Sequence, residues 1–168
     1  MEYNELSVVV STPKTQEQSH DFIQHIYQTC GCSVHVFLCM NDGSVGLNEV
    51  YNKMLNDENV NNNIIVFMHD DIDLLKIGWG REILRLFKEN EEYGIIGVAG
   101  TKQFDALAMW WQFPKRYGQV VHKADGKCWL TSFSPLLTKD LEDVAVVDGL
   151  FFGVHPERIK KQFRTDVN

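Results

Sequence analysis

The sequence predicts an α/β fold built on a doubly wound, mostly parallel (mixed) sheet. Two observations lead to this prediction. Strand-like and helix-like segments alternate along residues 1–101, which is typical of right-handed βαβ units. The strand segments are also uninterrupted apolar runs, and strands that are covered on both faces of a parallel sheet have that composition.

Four strands and three helices account for this alternation. Pro13 stops the first strand, and Thr15 is suited to cap the helix that follows, in which Phe22, Ile26 and Tyr27 have helical spacing. The predicted segments are, in order, LSVVVST (6–12, strand), TQEQSHDFIQHIYQTC (15–30, helix), SVHVFLCM (33–40, strand), LNEVYNKML (47–55, helix), NNIIVFM (62–68, strand), GWGREILRLFKEN (78–90, helix) and YGIIGVAGT (93–101, strand).

The second part of the chain has a different character. It is rich in aromatic and turn residues, and short antiparallel strands are expected around Val120 and Trp129. Further on, a strand interrupted at Asp148-Gly149 should lead to a short helix from Pro156. We therefore expect one domain over residues 1–168, with halves at 1–101 and 102–168.

Composition narrows the class of protein. The chain has 168 residues, 44% of them hydrophobic, which is enough for one globular core. Its net charge of −7 disfavours non-specific binding to nucleic acid. No apolar run approaches the roughly 20 residues of a transmembrane helix, and the N-terminus lacks the basic region of a signal peptide. We expect a cytoplasmic protein.

The cysteines give no strong motif. Cys30 and Cys32 are separated by one residue, whereas zinc sites and redox motifs usually have two residues between their cysteines. The spacing would permit a strained bond between them but does not require one. We expect these cysteines to be structural or incidental.

A cluster of carboxylates follows the third strand. Asp70, Asp71 and Asp73 lie within four residues, and such a cluster needs a cation to offset its repulsion. Oxygen ligands favour Mg²⁺ or Mn²⁺, and His69 offers a nitrogen ligand. The other interpretation is a solvated loop in which Asp73 caps the following helix. The spacing alone does not decide between them.

The other strand ends also carry polar residues. Ligands of open parallel sheets bind beyond the carboxyl ends of the strands. Thr12 and Asn41 follow the first two strands and could bond to a base and a ribose, with Asp42 as an alternative ribose contact. All three could equally be turn formers. The phosphate-loop, dinucleotide-binding and α/β-hydrolase motifs are not found in the sequence.

The ordered series of motifs resembles the family 2 glycosyltransferases of GT-A type. The residues that carry the resemblance are a strand ending near Thr12, NDGSVGLNEVYNK (41–53) and VFMHDDI (66–72) in the place of the D-x-D motif. The resemblance implies a sheet of the nucleotide-diphospho-sugar transferase type, with a nucleotide-binding half at 1–101 and an acceptor-side half at 102–168. It also implies that Asp71, Asp70 and His69 hold Mn²⁺ or Mg²⁺, and that Asp70 and Asn52 contact the nucleotide.

Several stretches look closer still to the streptomycin-biosynthesis-type group of glycosyltransferase-like proteins. These are FMHDDIDLL (67–75), GIIGVAGTK (94–102), MWW (109–111) and VVDGLFFGVHPERI (146–159), and the resemblance runs from Leu6 to Ile159. Two departures accompany it. His69 fills the first D-x-D position, and the chain ends where family members usually continue, so we expect a C-terminally short domain.

The resemblance implies an inverting displacement at the sugar carbon, with a nucleotide-sugar donor and an unknown glycan or small-molecule acceptor. Asp148 is the candidate base, because it interrupts an apolar run ahead of a glycine. Alternatively, it bonds to turn amides. Trp110 and Trp111 should point in opposite directions, so that one packs in the core and the other can stack on an acceptor sugar; both could also be core or interface aromatics.

Two other functions stay open. A non-catalytic nucleotide-sugar-binding domain would keep the pocket without turnover, and the expected short C-terminus favours it. A nucleotidyltransferase also uses metal-bound carboxylates, but such enzymes usually have a Gly-rich basic loop after the first strand. STPKTQEQ (11–18) does not have that composition, so this function ranks last.

Overall fold

The computed structural model describes residues 4–61, 63–103, 110–133, 140–160 and 162–165. Asn62, which the sequence places in the third strand, lies outside these ranges. The strands are β1 (Glu5–Thr12), β2 (Ser33–Met40), β3 (Ile64–Met68), β4 (Ile95–Gly97), β5 (Ala99–Thr101), β6 (Arg116–Ala124), β7 (Lys127–Ser132), β8 (Val146–Val147) and β9 (Phe151–Val154). The helices are α1 (His20–Cys30), α2 (Leu47–Leu55) and α3 (Trp79–Glu89), with 3-10 turns at Trp110–Gln112 and Pro156–Arg158.

The chain divides into two compact units. The sheet unit comprises residues 1–96 and 153–168, and the hairpin unit comprises residues 97–152. The chain passes from one unit to the other within β4 and within β9. Across the described ranges, no helix has the length and apolar character needed to cross a membrane.

A five-stranded sheet in the order β2-β1-β3-β9-β4 organises the sheet unit. β1 pairs in parallel with both β2 and β3, so the predicted mixed α/β architecture with a mostly parallel sheet is confirmed. All five residues of β3 are buried, as are Leu6 and residues 8–10 of β1. These central strands supply most of the fully buried apolar side chains, because both of their faces are covered.

The predicted helices form, with two local corrections. α2 has the predicted bounds, and α3 is one residue shorter than predicted at each end. α1 begins only at His20, because Thr15 exchanges bonds with Gln18 in a turn ahead of the helix and therefore does not cap α1 itself. Tyr27 is 48% exposed, so the apolar face of α1 is narrower than its sequence suggests.

The hairpin unit contains a four-stranded antiparallel sheet in the order β7-β6-β5-β8. The strands expected around Val120 and Trp129 are β6 and β7, and Asp125-Gly126 joins them with both residues at positive φ, as a tight hairpin requires. The break at Asp148-Gly149 and the short helix at Pro156 are also confirmed.

The prediction of one strand over residues 93–101 is wrong. That segment forms β4 in the five-stranded sheet and β5 in the four-stranded one. Two of its glycines allow close contact with β8: a Cβ on Gly97 would lie 2.1 Å from Val147, and one on Gly100 would lie 2.3 Å from the Val146 carbonyl oxygen. These close contacts join residues almost 50 positions apart in the sequence. They allow the chain to leave the five-stranded sheet at β4 and enter the four-stranded sheet at β5.

Candidate functional site

The register of the sheet brings Thr12 and Asp70 together. The β1–β3 ladder pairs Leu6 with Ile64 and Val10 with Met68. Two residues beyond the end of that ladder, Thr12 faces Asp70 at the carboxyl edge of the sheet. Parallel pairing thus brings a hydroxyl and a carboxylate to one place.

Asp70 is held from two sides. The Thr12 hydroxyl donates to Asp70 Oδ2 at 2.5 Å, and Lys14 Nζ lies 3.2 Å from the same oxygen and 3.1 Å from the Asp70 carbonyl. The backbone N–H of Lys14 also donates to the Thr12 hydroxyl. Partial burial opposes ionisation of Asp70, but the bonds from Thr12 and Lys14 outweigh it and hold the pKa of the carboxyl below its ordinary value.

Asp71 is oriented differently from its neighbour. Its side chain is 75% exposed, and its Oδ1 lies 3.9 Å from His69 Nδ1, whose side chain is 43% exposed. Residues 70 and 71 form a turn, so Asp70 points to Thr12 while Asp71 faces solvent. At this edge, the Asp70 carboxylate is therefore paired with a lysine, whereas the Asp71 carboxylate faces solvent.

Asp73 does not cap α3, so the capping part of the solvated-loop interpretation is wrong. α3 begins at Trp79, and its N-cap is Gly78. The intervening chain instead runs beside α1: the Leu74 carbonyl lies 3.1 Å from His25 Nε2, and the Gly78 N–H donates to the Thr29 carbonyl. Asp73 is therefore part of an exposed irregular segment.

The side chains that follow β3 could hold the predicted metal ion in part. No group of three or more His, Cys, Asp or Glu residues that could hold an ion occurs in the described part of the chain. A Mg²⁺ or Mn²⁺ ion bound to a diphosphate needs only one or two protein carboxylates, because phosphate oxygens and water complete its shell. Asp71, with His69 beside it, fits that smaller requirement, whereas Asp70 already has Lys14 as its counter-ion.

Asn41 and Asp42 lie at the end of β2 and form turn contacts. The Asn41 side chain bonds to Ser11, to the Val45 carbonyl and to the Gly43 N–H, and Asp42 accepts the Ser44 N–H at 3.0 Å. Bonds from Ser44 lower the pKa of the exposed Asp42 carboxyl. Both residues thus have the turn-forming role, and their nucleotide-binding role stays a prediction.

Asn52 holds a distant part of the chain. Its amide makes a reciprocal pair of bonds with the backbone of Phe163, each 2.8 Å long. The Phe163 ring lies 6.0 Å from the rings of Tyr51 and Phe67. The predicted nucleotide contact of Asn52 stays a prediction. In this structure one N–H of its side-chain amide and one acceptor position of the amide oxygen bond to Phe163.

The hairpin unit contains Asp148 and the tryptophan pair. The Trp110 indole N–H donates to Asp148 Oδ2, and the Leu150 N–H donates to Oδ1 at 2.7 Å. Trp110 is 7% exposed and packs on Phe133, whereas Trp111 is 52% exposed. One tryptophan is thus buried and the other exposed, as expected. Their opposite directions are not found, because the pair lies in a 3-10 turn and not in a strand, with the ring centroids 6.4 Å apart in an edge-to-face contact.

Sequence reasoning missed Lys14. Its ammonium is the cation that touches Asp70, yet in sequence it is one lysine in a polar loop. Its position was the available signal, since it comes two residues after Thr12 and therefore lies at the same sheet edge as the carboxylates.

Comparison with known proteins gives one family. The sequence model of a glycosyltransferase-like family matches residues 6–163, which is nearly the whole chain. No match was found among the curated proteins. The matched range includes the end of β1, both aspartates after β3 and Asp148, so every predicted site residue lies inside it.

Proposed function

The chain belongs to the glycosyltransferase-like family, and from that premise we propose that it transfers a sugar from a nucleotide-diphosphate donor to a glycan or small-molecule acceptor, with inversion at the sugar carbon. One observation carries the proposal. Thr12 and Lys14 fix Asp70 at the carboxyl edge of the parallel sheet, directly beside the exposed carboxylate of Asp71. Ligands of such sheets bind at that edge.

A positively charged and a negatively charged side chain would both contact the donor. Lys14 is 44% exposed, so its ammonium can contact a phosphate oxygen while it stays near Asp70. Asp70 is preorganised by the Thr12 hydroxyl and can accept a ribose or base hydrogen bond through its second oxygen. Asn41 and Asp42 shape the neighbouring turn and add contacts to the nucleoside.

Asp71 and His69 would hold the divalent ion, Mn²⁺ or Mg²⁺. When bound, that ion supplies Lewis-acid stabilisation of charge on the departing diphosphate. The residues themselves bind and orient: the Asp71 side chain is 75% exposed, so an ion can reach its carboxylate directly from solvent.

Asp148 is proposed as the base that takes the acceptor hydroxyl proton. The two donors that bind its oxygens fix the direction of the carboxylate and leave lone pairs for a third partner. Trp110 then acts as a positioning residue through its indole N–H, whereas the exposed face of Trp111 can stack on a sugar ring.

Three finer assignments belong to this proposal. We place the chain with the streptomycin-biosynthesis-type group, on the strength of residues 67–75 and 146–159. We assign the sheet to the doubly wound GT-A type, supported by the parallel β2-β1-β3 arrangement. We propose a cytoplasmic location, where nucleotide sugars are available as donors.

Nucleotide binding and turnover test the proposal separately. Thermal melting is measured with UDP, GDP and their sugar conjugates, with and without Mn²⁺, and the release of nucleoside diphosphate is followed in parallel. We expect a Mn²⁺-dependent rise in melting temperature with one nucleotide, together with slow release from its sugar conjugate. Stabilisation without release would indicate the non-catalytic binding domain. Release of pyrophosphate from a nucleoside triphosphate supplied with a sugar 1-phosphate, in a separate reaction, would indicate the nucleotidyltransferase.

Asp71→Asn is the informative variant, and Asp73→Asn is its matched control. Both remove one exposed carboxylate from the same segment. We expect Asp71→Asn to lose the Mn²⁺-dependent part of the melting shift and Asp73→Asn to keep it. If no nucleotide shifts the melting temperature of the unaltered protein, or if both variants behave alike, the proposed donor site is wrong.

A further inference from the structure

The opposite edge of the sheet contains a pair of thiols. α1 ends at Cys30, and Gly31 in the left-handed conformation turns the chain towards β2. This turn brings Cys30 Sγ within 3.4 Å of Cys32 Sγ, and both residues are thiols. A disulfide needs sulfurs about 2.05 Å apart, so the two sulfurs would have to approach each other by little more than 1 Å.

The first turn of α3 presses against these sulfurs. A Cβ on Gly80 would lie 2.3 Å from Cys30 Sγ and 2.9 Å from Cys32 Sγ. The amino end of an 11-residue helix thus contacts the dithiol directly. Helix N-termini stabilise a thiolate, and so does a neighbouring cation.

A positively charged pocket opens at Cys32. Its volume is about 300 Å³, and among the described residues its lining includes three cations and no carboxylate. Arg85 is ion-paired with Glu82 and Glu89 on the same helix, whereas the Arg81 guanidinium lies against Gly31, the residue between the two cysteines. The polar and charged lining residues are Asn4, Cys32, Ser33, Arg81, Arg85 and Lys88.

The two thiols differ in access. Cys30 is completely buried, whereas Cys32 is partly exposed and lines the pocket. The hydrogen bond between the two thiols and burial raise the pKa of Cys32, with Arg81 opposing them, whereas the same hydrogen bond lowers the pKa of Cys30. The proton that remains after the first ionisation of the pair lies between the two sulfurs. Of the two thiols, Cys32 is the one that can meet a ligand, and it does so as a thiolate when that proton is on Cys30.

We propose that Cys32 and Cys30 form a thiol–disulfide exchange site that reacts with small anionic disulfides held by Arg81 and Lys88. The thiolate of Cys32 attacks one sulfur of the incoming disulfide, whose S–S bond breaks and whose other half leaves as a thiol with one proton. Cys30 then attacks Cys32 and releases the second thiol with the second proton. Two protein thiols become one disulfide, and the incoming disulfide is reduced to two thiols.

This site is separate from the proposed donor site. β1 begins beside the pocket and ends at Thr12, and eight strand residues at about 3.3 Å each separate its ends by about 23 Å. The chemistry does not require nucleotide or metal. Its test is consequently independent of the proposed glycosyl transfer.

Oxidised glutathione is a suitable anionic probe, used on the full chain with Cys39→Ser and Cys128→Ser so that only the dithiol remains. We expect intact-mass measurement to show loss of two hydrogens without added glutathione. Cys30→Ser in this background should retain one glutathionyl group on Cys32, and Cys32→Ser should react at least about tenfold more slowly, because Cys30 is buried. Unreacted thiols, or stable glutathionylation with Cys30 present, would overturn the proposal.

A substitution of Arg81 tests the role of the cations and leaves both cysteines unchanged. Arg81→Gln should slow the reaction with oxidised glutathione by about tenfold, the lower end of charge-steering effects, and should slow the reaction with neutral hydroxyethyl disulfide less, because that reagent senses only the effect of Arg81 on the Cys32 thiolate. Circular dichroism confirms that the variant is folded. An equal slowing of both reagents would show that Arg81 does not select an anionic partner, and the proposed ligand class would be wrong.

Discussion

The two edges of the five-stranded sheet have opposite chemistry. The carboxyl edge gathers aspartates with one lysine, whereas the amino edge gathers two thiols and a group of cations. Both sets are positioned by the same strand, β1, whose two ends they flank. Because all strand ends of one kind meet at one edge of a parallel sheet, one short core can support two separate sites.

The edges also differ in how their polar groups are held. At the carboxyl edge Asp70 is fixed by hydrogen bonds from neighbouring loops, whereas at the amino edge the dithiol is fixed by close packing against Gly80. A substitution can remove one hydrogen bond and leave the others in place, whereas an atom added at a close packing contact overlaps its neighbours. We therefore expect substitutions at the two edges to differ in how much unfolding free energy they cost and in the type of interaction that they disturb.

The largest effect is expected at the amino edge, with Gly80→Ala. The added Cβ would overlap both cysteine sulfurs and a Leu6 methyl, and overpacking of this kind costs about 1–3 kcal/mol, partly offset by the helix propensity of alanine. Urea denaturation measures the loss. Gly149→Ala is the control, because a Cβ there meets nothing within 4 Å. Equal stabilities of the two variants would contradict the packing account.

Adjacent aspartates at the carboxyl edge allow a matched comparison. Asp70→Asn weakens charge-assisted bonds to Thr12 and Lys14 and should cost about 1–2 kcal/mol of unfolding free energy, since Lys14 is partly exposed. Asp71→Asn should change that energy by less than about 0.5 kcal/mol, because its side chain is mostly in solvent. The reverse order would show that Asp70 is not the anchored residue.

Acid should remove part of the same stabilisation. The pKa of Asp70 is lower in the folded protein than its unfolded value of about 3.9, so its contribution is complete above that value and is lost as the pH falls through the folded pKa. Denaturation of the wild type and Asp70→Asn between about pH 6 and pH 2 measures it. We expect the difference in stability between them to shrink towards low pH; a constant difference would contradict this assignment.

A mainly local effect is expected for Asn52→Ala. This change removes the pair of bonds to the Phe163 backbone and should cost about 1 kcal/mol, mostly as local opening. Hydrogen exchange of residues 162–165 should rise more than that of β1. Asn48→Ala, which removes a single bond to the Arg164 carbonyl, is the control and should raise exchange less. Unchanged exchange in Asn52→Ala would show that Phe163 is held by its ring alone.

Local patterns predicted the features that local chemistry determines. The bounds of α2 followed from its apolar spacing, and the antiparallel strands around Val120 and Trp129 followed from a composition rich in aromatic and turn residues. The meeting of Thr12 and Asp70 was predictable in outline, because parallel strands bring their ends together.

Features that depend on distant parts of the chain were not predictable. The division into β4 and β5 depends on contacts of Gly97 and Gly100 with β8. The engagement of Asn52 depends on Phe163, which is 111 residues away. The pairing of Lys14 with Asp70 depends on the path of the chain after Pro13, and hydrophobic periodicity has no information on that path.

The order of the strands has a consequence for biosynthesis. β9 lies between β3 and β4, although it is made after every other strand. As the chain leaves the ribosome, β3 and β4 therefore present unpaired edges until residues 151–154 emerge, and such edges invite association with other chains. Completion of the sheet requires contacts of long sequence separation, so folding should be slow and its final step should wait until residues 151–154 have been synthesised.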